Sequence, residues 1–413
     1  MTVVARAPAS ARTLGWLIVA LSFIAVGYAY AVRSSLGFMM PVWEAGQGWS
    51  RPAVSAVGAM VLVVMAMAAP VSGNLLDRIG ARTVMVGGFA AGGLGAVLTA
   101  GVVAEWQLFG AFGILIGAAN GVLSVPAAAA TVALYFERNR GLATGIACAG
   151  STGGQLLALP AIAALFGAIG WRAGYVALGV GALAFAAVAW FLLRDRGGVA
   201  AARRAAAVRT PIGQRLTMLF ANRIFLLLFG AFTLCGFTTS GLVDVHFLPY
   251  AAICGFSPME STTAYGMHGV GNLIGMLAAG WLADRMNRSW LLAGIFFVRA
   301  ATFVMLLYVA GDLALAFAFT TAFGILNFSV LPVIASIVAS RIGLHVMGLS
   351  MGLLFSGHSL GAALGAVLGG SLSTALGSYD LVWLIGLAAA LAAGVFALAI
   401  GERRGPLPAA AAA

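Results

Sequence analysis

The chain has 413 residues, 62% of them hydrophobic and only 8% charged, with a net charge of +11. Soluble domains carry about 25% charged residues, so this composition excludes an ordinary soluble enzyme and belongs to a membrane protein. All 22 cations are arginines, and they sit between apolar runs, where they report membrane topology rather than affinity for nucleic acid.

In chain order, runs long enough to cross a bilayer, about 20 residues each, fall near 14–43, 52–76, 83–104, 107–135, 141–168 and 173–193. The first follows Arg6 and Arg12 and is too long for a signal-peptide core, so it reads as a retained span. After a polar interval, apolar runs resume near 224–252, 261–283, 290–311, 313–339, 347–375 and 380–401. Strands of a membrane barrel would be shorter and would alternate in polarity. The expectation is an all-α membrane protein with twelve transmembrane helices. Residues 1–193 form one six-helix bundle, 194–223 a cytoplasmic linker and 224–413 a second bundle.

The arginines orient the spans. With both termini and every even-numbered connection on the cytoplasmic side, that side holds 18 arginines, and the other holds only Arg51 and Arg172. This is the positive-inside bias of a multi-pass protein, read here as one of a bacterial cytoplasmic (inner) membrane. Arg33 and Arg299 belong to neither side because they lie inside spans. The three cysteines, Cys148, Cys235 and Cys254, lack metal-ligand spacing and read as packing residues. No phosphate-binding glycine loop or metal constellation is present, and no enzyme activity, cofactor or metal is expected.

The two halves repeat their punctuation. The second span ends "GNLLDRIGART" (73–83), and the eighth ends "GWLADRMNR" (280–288). The fourth and tenth spans also correspond, with Asn120 and Pro126 in one and Asn327 and Pro332 in the other. A duplicated six-helix unit places a binding site between the halves, near the membrane midplane.

These residues resemble the major facilitator superfamily over essentially the whole chain. Gly73, Asp77, Arg78, Gly80 and Arg82 match its loop motif, with Thr83 where a further basic residue is usual; Gly280, Asp284, Arg285 and Arg288 form the second copy, with Asn287 in place of glycine. Small residues at such positions let helices approach closely. The resemblance implies that Asp77 and the neighbouring arginines form a charge cluster at the cytoplasmic mouth that latches one conformation. The stretch "YFERNRGLATGIACAGSTGG" (135–154) resembles the start of the fifth helix in monocarboxylate and oxalate transporters. That branch's acidic, glycine-rich opening before the first helix is absent, since residues 12–16 read "RTLGW". By the same resemblance, Met276 stands where those carriers place a substrate arginine, and Asn272 where they place an aspartate. Another cation must then hold a carboxylate.

Ionisable residues inside a membrane are costly and face an interior or an aqueous cavity. Arg33, with Tyr30 on the same face, can hold a carboxylate through two parallel hydrogen bonds; the alternative is snorkelling to the interface. His268 and Asn272, preceded by Tyr265, form a polar stripe on the eighth span. They read as hydrogen-bonding groups for a solute or between helices. His358 takes the place of an oxalate-transporter lysine by resemblance, and the expectation is that a histidine there can titrate near neutral pH and ease binding or release. Arg299, in a peripheral helix by that fold, reads as the structural partner of Asp244. Asn120, Gln155 and Asn327 are further cavity candidates.

Asp244 and His246 are two residues apart in "SGLVDVHFLPY" (240–250). A regular helix turns about 100° per residue, so the two point nearly opposite ways. Either the helix unwinds between Gly241 and Pro249 and both serve a cavity, or His246 faces the solute path and Asp244 an internal partner. Asp244, His246 and His358 are the expected proton-coupling groups. The expected solute-binding residues are Arg33, Tyr30, Asn120, His246, His268, Asn272 and His358. The chain reads as a monomeric secondary transporter moving a small organic solute across the bilayer by alternating access, with a monocarboxylate-type anion coupled to protons as the specific expectation. An exporter of drug-like or amphipathic compounds is the alternative in the same fold, although Gln155 after Gly154 departs from the exporters' Gly-Pro pair. A transporter-like sensor would need a cytoplasmic domain beyond the 194–223 connector.

Overall fold

The computed structural model describes residues 9–136, 139–193 and 210–401. Several arginines of the topology count, Arg6, Arg138, those from Arg194 to Arg209, Arg403 and Arg404, lie outside these residues. In the N-terminal half run α1 (Ala9–Gln47), α2 (Arg51–Ile79), α3 (Ala81–Ala100), α4 (Glu105–Ala133), α5 (Arg140–Ile169) and α6 (Trp171–Leu192). A short α7 (Ile212–Ala221) precedes the C-terminal helices. These are α8 (Arg223–Ile253), α9 (Pro258–Ala283), α10 (Arg288–Leu306), α11 (Leu313–Ile342), α12 (Leu344–Leu376) and α13 (Asp380–Ala399).

Among the described residues, 11 helices are both long and apolar enough to cross a membrane. The expected eighth span is α9, whose 26 residues reach about 39 Å at 1.5 Å per residue, although Thr262, Thr263, His268 and Asn272 make it less apolar than the others. Helix starts follow local chemistry. Ser257 and Glu260 close a reciprocal cap at α9, with the Ser257 amide donating to Glu260 Oε2 at 2.8 Å. Asn222, Asn287 and Asp312 accept from the first-turn amides of α8, α10 and α11. Several helices carry a wide π-helical turn, at 109–116 in α4, 154–158 in α5, 237–243 in α8 and 338–342 in α11.

The apolar cores show how the halves meet. One core joins both halves on the linker side, with Ile18, Leu76 and Ala147 from one and Met276, Val338 and Met347 from the other. At the end away from the linker there are two cores. One draws only on the N-terminal half, around Trp43, Trp49, Phe112 and Tyr175. The other draws only on the C-terminal half, around Tyr250, Phe303, Tyr379 and Trp383. The halves are therefore packed together on the linker side and separately stabilised beyond it.

Candidate solute site and linker-side seal

The shared core divides at a definable level. Tyr30 belongs to it, whereas Ala31, Val32 and Leu36 belong to the separate N-terminal core. On α8, Phe232 and Cys235 belong to it, whereas Phe237 and Leu242 belong to the separate C-terminal core. Arg33 and Asp244 lie just past this division on their respective helices.

Arg33 is partly exposed. Its guanidinium lies 4.6 Å from the centre of the Tyr30 ring, and Nη1 is 3.7 Å from Met65 Sδ. A cation over an aromatic face is stabilised by the ring quadrupole, yet most of the donors on this guanidinium stay free for an anion. Asp244 lies within electrostatic range of the Tyr30 hydroxyl from the opposite half. Its Oδ1 accepts a 2.9 Å hydrogen bond from Tyr265 Oη on α9. Tyr265 also lies 5.2 Å from the His268 ring, centre to centre. His268 is buried, and its Nε2 has no hydrogen-bond partner among the described residues. Arg33, Tyr30, Asp244, Tyr265 and His268 thus bring a cation, a carboxylate, two phenols and an imidazole to the level where the halves part.

Other expected residues are placed elsewhere. Asn272 is buried between the halves, donating to Thr152 Oγ1 at 3.2 Å and accepting from the Phe328 amide at 3.1 Å. Asn120 is 3% exposed and donates within its own helix, to the Ile116 carbonyl at 3.0 Å. His358 packs among Phe232, Phe328 and Phe355, with ring centres 4.8, 6.4 and 5.9 Å away, and its Nε2 has no partner among the described residues.

Two expectations are corrected. Where a solute-facing side chain was expected, His246 is 6% exposed and packs on α12, with Nε2 3.0 Å from the Ala366 carbonyl. Its Nδ1 lies 3.4 Å from Tyr379 Oη. The helix does not unwind between Gly241 and Pro249. Instead the π-helical turn ahead of Asp244 resets the register, and the i,i+2 divergence sends Asp244 to α9 and His246 to α12.

The expected Arg299–Asp244 pair does not form. Arg299 is fully buried and donates to Cys235 Sγ at 3.0 Å, to the Leu326 carbonyl and to the Asn327 carbonyl at 2.8 Å. Helix α11 is interrupted at Asn327–Ser329, so these carbonyls lack the amide partners of a continuous helix. A guanidinium satisfies several such acceptors at once. Sequence reading paired the charges by sign and could not see the interruption.

At the linker side the two motif copies act on backbone. Asp77 at the end of α2 accepts from the amides of Gly348 and Leu349 at 2.7 and 3.0 Å, capping the start of α12 from the other half. Asp284 at the end of α9 does the same for α5, accepting from Gly141 and Leu142 at 2.8 and 3.0 Å. A carboxylate is favoured at a helix N-terminus by the unsatisfied amides and the helix dipole. Glycine permits both approaches: a Cβ on Gly73 would strike the Gly348 carbonyl, and one on Gly280 would strike Gly141.

The motif arginines have contacts of their own among the described residues. Arg78 donates to the Thr210 carbonyl at 3.3 Å, Arg82 stacks on Trp190 at 3.7 Å, and Arg285 stacks on Trp281 at 4.0 Å. The arginine that meets Asp77 is Arg215 of α7. Sequence reading counted Arg215 only as linker charge. The signal was its place in "IGQRLTMLFA", whose Leu216 and Leu219 pack against the shared core.

Comparison with known proteins identifies the family. The Major Facilitator Superfamily model matches residues 22–366 and, in a second match, 247–413, and the chain belongs to that superfamily. Mouse monocarboxylate transporter 11 is 30% identical over 279 residues, 66% of this chain and 60% of that protein. Rat monocarboxylate transporter 1 is 31% identical over 183 residues, 44% of this chain and 37% of that protein. The chain thus spans less than two thirds of either relative's length. The fold is shared with the E. coli fucose:proton symporter FucP, with a TM-score of 0.73 at 17% identity over 93% of this chain and 98% of that one. The chain is a multi-pass membrane protein of a transporter family, and its named relatives here are transporters rather than enzymes.

Proposed function

We propose that this chain is a secondary active transporter that moves a small monocarboxylate-type organic anion by alternating access, coupled to protons. The observation that carries the reading is Arg33: a partly exposed guanidinium, held over Tyr30 with no carboxylate partner among the described residues, at the level where the shared core divides. An organic anion supplies the missing counter-charge through two parallel hydrogen bonds. The likeness to monocarboxylate transporters supports the same solute class.

Asp244 is the proton-coupling group in this reading. Tyr265 donates to its carboxylate, and the His268 ring lies 5.2 Å from the Tyr265 ring. The division of the cores supports a state sealed on the linker side and open on the other. The arginine distribution supports twelve spans, with the linker and both termini in the cytoplasm of a bacterial inner membrane. In that orientation the present state faces outward. The transporter works as a monomer without a cofactor.

The test is uptake into proteoliposomes of labelled lactate, pyruvate, oxalate, an amino acid and a nucleoside, with and without an inward proton gradient. Accumulation of a monocarboxylate that depends on the gradient is the expected result. Accumulation confined to the neutral solutes, or indifferent to the gradient, overturns the reading.

A further inference from the structure

We infer that Arg215, on the short helix between the halves, is a positioning residue of the transport cycle: it holds the linker-side seal closed, and α7 is a working part of the gate rather than a tether. The residue is 1% exposed. Its Nη2 forms an ion pair with Asp77 and donates to the His345 carbonyl at 3.2 Å, while Nη1 donates to Asn74 Oδ1 at 2.5 Å. One guanidinium therefore joins three segments: α7, the end of α2, and the approach to α12 in the other half.

The charge on Asp77 explains why this position needs a cation. Asp77 is itself 6% exposed and caps α12 across the seam between the halves. A buried carboxylate with no compensating charge is strongly unfavourable. Arg215 supplies that charge only while the seam is shut and α7 is docked. When the halves separate here, the α12 amides leave Asp77, the His345 carbonyl leaves Arg215, and water can hydrate both charges. The ion pair thus contributes most to the sealed state.

The second motif copy serves as an internal control. Asp284 makes the equivalent cap but is partly exposed, and among the described residues its hydrogen-bond partners are the Gly141 and Leu142 amides. The two-fold pattern of the gate is broken by one side chain from the connector. Docking of α7 is independently supported by Leu219, which is fully buried, and by the bond from Arg78 to the Thr210 carbonyl just before the helix.

The experiment measures distances between spin labels on the full chain in lipid nanodiscs, with no solute added. Labels at Ile79→Cys and Met286→Cys, both exposed at the linker side on opposite halves, are introduced in a Cys254→Ser background. In the parent a short distance dominates. In Arg215→Gln the ratio of short to long distances falls about tenfold, since removing one partner of a buried pair leaves the other uncompensated. Arg215→Lys, which keeps charge but loses the fork, and Asn74→Ala, which removes one contact, shift the distribution in the same direction by less. An unchanged distribution in Arg215→Gln overturns the inference. If that variant does not fold, unchanged distributions in both Arg215→Lys and Asn74→Ala overturn it. Because the readout uses no solute, its failure is separable from failure of the carboxylate reading.

Discussion

Tyr265 donates a 2.9 Å hydrogen bond to Asp244 across the packing of α9 on α8. That contact ties the carboxylate to α9, while Arg299 is bonded instead to Cys235 and to the Leu326 and Asn327 carbonyls. Among the described residues no arginine forms an ion pair with Asp244, whose hydrogen-bond partner is Tyr265.

Asp244→Asn preserves shape and can still accept from Tyr265, but it cannot bind and release a proton. Accumulation driven by a pH gradient is expected to be lost, while exchange of solute between the two sides persists. Uphill accumulation in proteoliposomes carrying this variant would remove Asp244 from the coupling step.

Arg33→Gln removes the proposed anion ligand and leaves Tyr30 in place. Charge-assisted hydrogen bonds contribute about 1.5–3 kcal/mol, so the half-saturating carboxylate concentration should rise by roughly 10- to 100-fold. Unchanged affinity in a binding assay on the detergent-solubilised protein would show that another group holds the solute.

Arg299→Leu leaves the carbonyls of Leu326 and Asn327 unsatisfied in the break of α11. Truncating a fully buried, hydrogen-bonded charge costs about 3–5 kcal/mol, and the thermal unfolding midpoint should fall clearly. Asp244→Asn alone should leave that midpoint almost unchanged. If the two residues were partners, the double variant would recover stability relative to Arg299→Leu; no such recovery is expected.

Gly280→Val drives a branched side chain into the Gly141 backbone at the α5–α9 crossing. Overpacking of this kind costs about 1–3 kcal/mol, charged here to the linker-sealed state. Spin labels across the linker side should report a larger open fraction, as they should for the equivalent Gly73→Val at the α2–α12 crossing. A distribution like that of the parent would mean that the crossings relax without opening.

His246 shows where the boundary of sequence reading lies. Its spacing from Asp244 established that two residues in one helix must diverge, because a helix advances about 100° per residue. Which residue faced which neighbour depended on the π-helical turn at Phe237–Val243, and no local residue pattern announced that turn. The contacts observed differ from the choice made from sequence, His246 toward the solute and Asp244 toward Arg299: Asp244 accepts from Tyr265, and His246 meets the Ala366 carbonyl. Arg215 was missed for a related reason. Its burial comes from docking onto Asp77, Asn74 and His345, all at least 130 residues away along the chain.

By itself the sequence determined the membrane setting, the duplicated halves and the motif aspartates. These follow from hydrophobic run length, arginine placement and repeated short motifs, all local properties of the chain. Only the tertiary structure decided which charges meet: Asp77 with Arg215, Asp244 with Tyr265, and Arg299 with the carbonyls of an interrupted helix. Such pairings depend on helix phase and on contacts between distant segments. A change of one residue in helical register is enough to redirect a side chain from one neighbour to another.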